Sequence, residues 1–213
     1  MEEHLAEKQR PRVLVAASGS VATVKIPEIV VKLAEHAEVQ LVLTKAAAFF
    51  LEKAASYNPS MFAAYEALNI TIHRDEDEWS SWNAIGDPIL HIQLRDWADV
   101  FVVAPLSANS MAKLANGLSD NLLTCVARAW SSAKPLLVAP AMNTQMWLHP
   151  CTDKHLRVLE GEYVYRIIRP VSKMLACGET GARTSCWLRI TTFVGYGALA
   201  HVDDIVACVL AAV

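Results

Sequence analysis

The amino-acid sequence predicts an α/β fold of three layers, with a Rossmann-like or flavodoxin-like parallel sheet between helices. Two observations carry this expectation. Val13-Leu14-Val15-Ala16-Ala17, Val39-Gln40-Leu41-Val42-Leu43-Thr44, Val100-Phe101-Val102-Val103-Ala104 and Leu136-Leu137-Val138-Ala139 are short runs dominated by Val and Leu. Apolar runs without polar alternation mark strands buried on both faces of a parallel sheet. Between them lie amphipathic stretches such as Ile26 to Ala37 and Leu118 to Trp130, suited to the crossover helices that parallel strands need. With 213 residues, 54% of them hydrophobic, the chain can bury one domain well and is short for two. The expected organisation is a flexible N-terminal segment, residues 1–11, and a single domain over 12–213.

Composition narrows the function. The net charge is −3 and the positive residues are scattered, which leaves no electrostatic footprint for nucleic acid or an anionic membrane. A small-molecule ligand is expected instead. The N-terminal stretch mixes acids and bases without an apolar core, unlike a signal or transit peptide, and no apolar run approaches membrane-spanning length. Cys125, Cys151, Cys177, Cys186 and Cys208 show no CxxC or Cys/His ligand spacing, so neither a disulfide framework nor a metal site is expected and a reducing cytosol fits.

In an open parallel sheet, ligands bind beyond the carboxyl ends of the strands. After the first run comes Ser18-Gly19-Ser20-Val21-Ala22, a small-residue turn that opens a helix and offers N–H groups to a phosphate. It lacks the GxGxxG spacing of a dinucleotide site. After the second run comes Thr44-Lys45, and after the third comes Pro105-Leu106-Ser107-Ala108-Asn109-Ser110, where Ser107 and Asn109 have the chemistry of helix caps. Three polar turns on one edge point to a mononucleotide pocket. The fourth run leads into Pro140-Ala141-Met142-Asn143, whose amide can both donate and accept. His91 lies in an alternating segment, Asp87 to Leu94, and is the side chain best suited to proton transfer near neutral pH. Cys177, in Leu175-Ala176-Cys177-Gly178-Glu179-Thr180-Gly181, is a thiol among small residues that can approach a ligand closely.

Taken together, Ser18-Gly19-Ser20-Val21-Ala22, Asp75-Glu76-Asp77-Glu78-Trp79, Leu90-His91-Ile92, Ala104 to Asn109, Asp120-Asn121-Leu122-Leu123-Thr124, Pro140 to Asn143 and Ala176-Cys177-Gly178 resemble the phosphopantothenoylcysteine decarboxylase family. These are homo-oligomeric flavin-containing cysteine decarboxylases, and the likeness is to their single-domain halotolerance type. The resemblance implies an FMN-bearing homotrimer that converts 4′-phospho-N-pantothenoylcysteine to 4′-phosphopantetheine in coenzyme A synthesis. The implied chemistry has a physical rationale. Loss of CO2 needs an electron sink, which oxidation of the thiol-bearing carbon to a thioaldehyde creates; the resulting ene-thiol then takes back hydride and a proton. Carried over by position, Cys177 would be the acid and His91 would act near flavin and thiol. Asn143 would hold the substrate carboxylate, with Met174, Leu175 and Ala176 beside the substrate. Gly19, Ser20, Val21, Thr44, Lys45, Ser107, Ala108, Asn109, Ser110 and Ala141 would line FMN.

The chain departs from the family pattern at four places. An extra segment of about 182–196 separates the Cys177 motif from Gly197-Ala198-Leu199-Ala200 and interrupts a glycine-rich lid. Leu199 stands where methionine is usual, Asp96 follows Arg95 where a second basic residue is usual, and Ala54 to Asn69 is expected to lengthen the loop after the second strand. The interrupted lid leaves a second reading, a non-catalytic flavoprotein regulatory subunit of the phosphatase-inhibitor type.

Overall fold

The computed structural model describes residues 10–80, 82–171 and 197–213. One sheet contains β1 (Arg12–Ala17), β2 (Glu38–Leu43), β3 (Ile72–Arg74), β4 (Val100–Leu106), β5 (Leu136–Pro140) and β6 (Arg166–Ile167). The strand order is β3-β2-β1-β4-β5-β6 and every neighbouring pair is parallel. The order reverses between β1 and β4, which makes their carboxyl ends the switch point of a Rossmann-like sheet.

The helices are α1 (Ile26–Ala34), entered through a 3-10 turn at Val21–Lys25, α2 (Lys45–Leu51), α3 (Ala54–Tyr57), α4 (Pro59–Ala67), α5 (Asp77–Ser80) and α6 (Leu90–Trp97). They continue with α7 (Ala108–Ala115), α8 (Leu122–Ala129), α9 (Thr144–Leu148), α10 (Pro150–Arg157) and α11 (Val202–Leu210). Alternate residues of each central strand enter different apolar clusters. Val13 and Val15 meet Ile29 and Leu33 of α1, Tyr65 of α4 and Ile205 of α11 on one face. Leu14 and Ala16 meet Leu94 of α6, Met111 of α7 and Leu123 of α8 on the other. Because both faces are covered, the strand must be apolar at every position, which is why the runs are continuous.

The four runs become β1, β2, β4 and β5. The edge strands β3 and β6, of three and two residues, carry no comparable run. The expected loop over Ala54 to Asn69 is helical instead: Asn58 caps α4 by accepting from Met61 N, Pro59 takes the first helical position, and α4 packs on α1. Its buried Tyr65 joins the core, so this segment is the crossover between β2 and β3. The alternating segment around His91 is also a helix. In α6 Leu94 is buried and Leu90 and Trp97 pack on the same apolar cluster, the i, i+4, i+7 spacing of a helix face.

Two departures from the family pattern have a definite place in the fold. Leu199 is 3% exposed and fills the α1 side of the core. Asp96 forms a two-point ion pair with Arg95, Nε–Oδ1 2.8 Å and Nη2–Oδ2 3.0 Å, near the C-terminal end of α6 and hence at the opposite edge of the sheet. Residues 1–9 of the expected N-terminal segment and the extra segment 182–196 lie outside the described residues.

Candidate active site

Four strands leave the sheet into helical turns that carry their own caps. Ser20 Oγ accepts from Ala22 N at 3.3 Å after β1, and Thr44 Oγ1 accepts from Ala47 N at 3.3 Å after β2. Ser107 Oγ accepts from Ser110 N at 3.3 Å after β4, and Asn143 Oδ1 accepts from Met146 N at 2.9 Å after β5. Ser107 is therefore the cap of α7, while Asn109 is its second residue and is exposed. Such turns leave further backbone N–H groups directed beyond the strand ends, an environment that favours anions.

The β1 and β4 turns are tied together. Ser18 N and Oγ both donate to Pro105 O, at 3.1 and 2.9 Å, and Ser18 Oγ accepts from Ser107 N at 2.7 Å. Thr23 Oγ1 donates to Ser18 O at 3.2 Å. Gly19 lies so close to α2 that an added Cβ would fall 2.5 Å from Ala46 Cβ. The absence of a side chain there lets the two turns meet, and the N–H groups of Gly19, Ser20 and Val21 have no acceptor among the described residues.

The structure thus gathers the expected cofactor residues on one edge: Gly19, Ser20 and Val21 after β1, Thr44 and Lys45 after β2, Ser107, Ala108, Asn109 and Ser110 after β4, and Ala141 after β5. Their chemistry fits a flavin mononucleotide. Free N–H groups and hydroxyls suit a phosphate and a polyol, the Asn109 amide can meet a polar ring edge, and Ala108 and Ala141 leave room for a flat ring. Ser110 and Ala141 are 3% exposed each, and the Ala141 N–H is spent on Leu106 O at 2.9 Å, so both shape the floor of the edge.

His91 stands at the start of α6. Its Nδ1 lies 2.5 Å from Glu78 Oε1, and the side chains are 23% and 3% exposed. An ionised carboxylate only accepts, so the tautomer that suits this contact is the one with its hydrogen on Nδ1. Sequence reading missed Glu78 as a site residue; it was visible within Asp75-Glu76-Asp77-Glu78-Trp79 but not distinguishable there from a solvated acidic run. Asp75 of the same motif accepts from Leu122 N at 3.0 Å and from the Lys45 backbone, so it spans the first turns of α8 and α2. Burial pushes its carboxyl above the ordinary range despite these bonds. The Asp120-to-Thr124 motif is a capping box: Thr124 N donates to Asn121 Oδ1 at 2.9 Å, and Asn121 N donates to Thr124 Oγ1 at 3.2 Å.

Asn143 uses Oδ1 as a cap, and its Nδ2 group has no acceptor among the described residues. The adjoining Met142 N donates to Gly197 O at 2.9 Å, and Val171 bridges Ala198. Gly197 has φ +93°, and a Cβ there would sit 2.6 Å from Met142 O, so only glycine fits. Met174, Leu175, Ala176 and Cys177 lie outside the described residues; of the residues that flank that stretch, Gly197 is held beside Met142 and Val171 beside Ala198. Among the described residues no group of three His, Cys, Asp or Glu is placed to hold a metal ion, and no helix is long and apolar enough to cross a membrane.

Known proteins resemble this chain in sequence and in fold. A probable phosphopantothenoylcysteine decarboxylase of Arabidopsis thaliana is 53% identical over 173 residues, 81% of either chain. The phosphopantothenoylcysteine decarboxylase of Mus musculus is 43% identical over 208 residues, 97% of this chain and 89% of the relative. A PPC decarboxylase cysteine-to-serine mutant complexed with pantothenoylaminoethenethiol superposes with a TM-score of 0.80 at 46% identity, over 95% of this chain and 98% of its own. The FMN binding protein AtHal3 superposes with a TM-score of 0.77 at 46% identity, over 95% and 96%. Residues 1–213 match the sequence profile named Flavoprotein, and the chain belongs to that flavoprotein family.

Proposed function

We propose that this chain is an FMN-dependent phosphopantothenoylcysteine decarboxylase, converting 4′-phospho-N-pantothenoylcysteine to 4′-phosphopantetheine in coenzyme A synthesis. The observation that carries the reading is the pairing of His91 with the buried Glu78 at the same sheet edge as the capped turns of Ser20, Thr44, Ser107 and Asn143. FMN, when bound, supplies the two-electron sink that the substrate lacks. The rest of the work falls to the chain. Gly19, Ser20 and Val21 offer N–H groups to the cofactor phosphate, and Thr44, Lys45, Ser107, Ala108, Asn109, Ser110 and Ala141 shape its bed. Asn143 donates from Nδ2 to the substrate carboxylate and orients it. His91 accepts the thiol proton at Nε2. Cys177 returns a proton to carbon after CO2 has left, with Met174, Leu175 and Ala176 lining the substrate. The aminoethenethiol held by the serine mutant of the related decarboxylase is the species such a late proton transfer would consume.

The domain is read as 12–213 and the assembly as a homotrimer in a reducing cytosol. Trp79, Trp82 and Ile85, which follow Glu78 in the chain, are 69%, 45% and 98% exposed, and exposed apolar side chains so close in sequence favour an assembly. Cys125, Cys151 and Cys208 are free thiols. The test is incubation of purified protein with phosphopantothenoylcysteine while CO2 and the visible flavin spectrum are recorded. CO2 release with flavin bleaching and recovery is expected. A bound flavin that never changes would favour the regulatory-subunit reading, which the extra segment 182–196 motivates.

A further inference from the structure

α5 is a single helical turn with an inverted distribution of side chains. Trp79 is 69% exposed while its neighbour Glu78 is 3% exposed. The turn is firmly built: Asp77 Oδ2 accepts from Arg74 N at 2.7 Å, Glu78 N donates to Asp75 O at 3.4 Å, and Ser80 Oγ donates to Asp77 O at 3.0 Å. It therefore holds a carboxylate inside and leaves an indole in water, the reverse of what hydrophobic burial alone selects. The buried carboxylate is only half satisfied. Oε1 meets His91 Nδ1, whereas Oε2 is buried with no hydrogen-bond partner among the described residues. The nearby Cys125 of α8 does not serve it, because Cys125 Sγ donates to Ser119 O at 3.5 Å. A buried acid kept for packing would be better replaced by an apolar side chain of similar volume. Its retention against His91 calls for another explanation.

We propose that Glu78 is a positioning residue for His91. By accepting from Nδ1–H it fixes the neutral imidazole in one tautomer, with the lone pair on Nε2, and it lies against the ring to balance the positive charge when Nε2 takes a proton. The step it supports balances simply: the S–H bond of the bound thiol breaks, its electron pair stays on sulfur, the proton forms an N–H bond at Nε2, and the new imidazolium charge faces the Glu78 carboxylate. The unpartnered Oε2 adds negative charge close to the ring without a competing donor. Without Glu78 the ring is free to take the other tautomer, in which Nε2 carries hydrogen and accepts nothing.

This inference rests on the decarboxylase reading, and its test separates the two. The FMN-loaded protein is labelled with 15N-histidine and the His91 ring signals are assigned by their loss in His91→Asn. At a pH where the ring is neutral, Nδ1–H and bare Nε2 are expected in the unaltered protein, with a shift toward Nε2–H in Glu78→Gln. That variant should keep its flavin content, lower kcat by about 10–100-fold, and leave KM within about twofold, because alignment and charge balance are lost while substrate binding is not. An Nε2–H tautomer in the unaltered protein overturns the proposal even if Glu78→Gln does not fold. So does a tautomer or a kcat that is unchanged in Glu78→Gln. If no CO2 is released by the unaltered protein, the decarboxylase reading fails, yet the tautomer measurement still reports whether Glu78 orients His91.

Discussion

Ser18 Oγ accepts the Ser107 N–H at 2.7 Å while donating to Pro105 O at 2.9 Å. One buried hydroxyl thereby joins the turn after β1 to the turn after β4, the two strands that flank the switch point. The candidate cofactor edge is not a set of independent loops; its two central turns share a hydrogen-bonded pin, and Ser107 in turn caps α7.

Ser18→Ala tests that pin. The substitution leaves Ser107 N–H buried without an acceptor, which costs about 1–3 kcal/mol. Urea denaturation should show a lower midpoint at unchanged slope, and flavin should be lost at lower urea than in the parent protein.

Gly19→Ala strains the neighbouring contact. Its new methyl would meet Ala46 Cβ at 2.5 Å, so either the β1 turn or the first turn of α2 must move. Overpacking of this kind costs about 1–3 kcal/mol. Flavin content after purification should fall more than the urea midpoint alone accounts for, because the displaced turn carries the free N–H groups. A variant with full flavin content would show that the close approach does not shape the site.

The layers of the fold were legible in sequence because each central strand feeds both apolar clusters, as Val15 and Ala16 of β1 do, and uninterrupted apolarity is a strong signal. The edge strands were not legible, because Ile72 to Arg74 is only three residues long and none of the three is fully buried. The switch-point turns were readable since Ser18-Gly19-Ser20 and Ser107-Ala108-Asn109 follow strong strands. Glu78 was hidden, since a buried acid and a solvated acid look alike in an Asp-Glu-Asp-Glu run, and only the fold turns Glu78 inward and Trp79 outward. α6 was hidden for a different reason: Leu90, Leu94 and Trp97 stand at helical spacing against the core, but the apolar and polar residues of Asp87 to Leu94 also alternate, which reads equally well as a strand.

His73 gives a pH dependence with a definite sign. Burial lowers its folded-state pKa below the ordinary value, and its Nε2 lies 2.8 Å from Gln40 Oε1. The unfolded chain then binds the proton first as pH falls. The stability contributed by neutral His73 is present above pH about 6.5 and is lost as pH drops through the folded pKa. Urea midpoints measured between pH about 7.5 and 5 should decline less in His73→Gln than in the parent. Parallel curves would remove His73 from the account.

Tyr65 makes the opposite case from Ser18. Its hydroxyl is buried with no hydrogen-bond partner among the described residues, and burial pushes its pKa up to about 12. Tyr65→Phe removes an unsatisfied polar atom and keeps the ring, so stability should rise or stay level, by up to about 1 kcal/mol. A loss of more than that in urea denaturation would mean that water or an unseen donor serves the hydroxyl.

The two halves of the proposed reaction separate through His91 and Cys177. Replacing His91 with Asn removes the Nε2 lone pair that receives the thiol proton, so both CO2 release and flavin reduction should slow by about 10²–10⁴-fold. The block comes before carbon dioxide leaves. Cys177→Ser preserves size but substitutes a far weaker acid than a thiol, whose ordinary pKa is about 8.5. Protonation of the ene-thiol should then fail after CO2 has gone, leaving an oxidised aminoethenethiol product that is lighter than phosphopantetheine by a pair of hydrogens. Mass spectrometry of the reaction mixture distinguishes the cases: unchanged substrate with His91→Asn, the lighter product with Cys177→Ser. Normal phosphopantetheine from Cys177→Ser would make that cysteine structural, and the lighter product from the unaltered protein would mean that the extra segment 182–196 uncouples the last proton transfer.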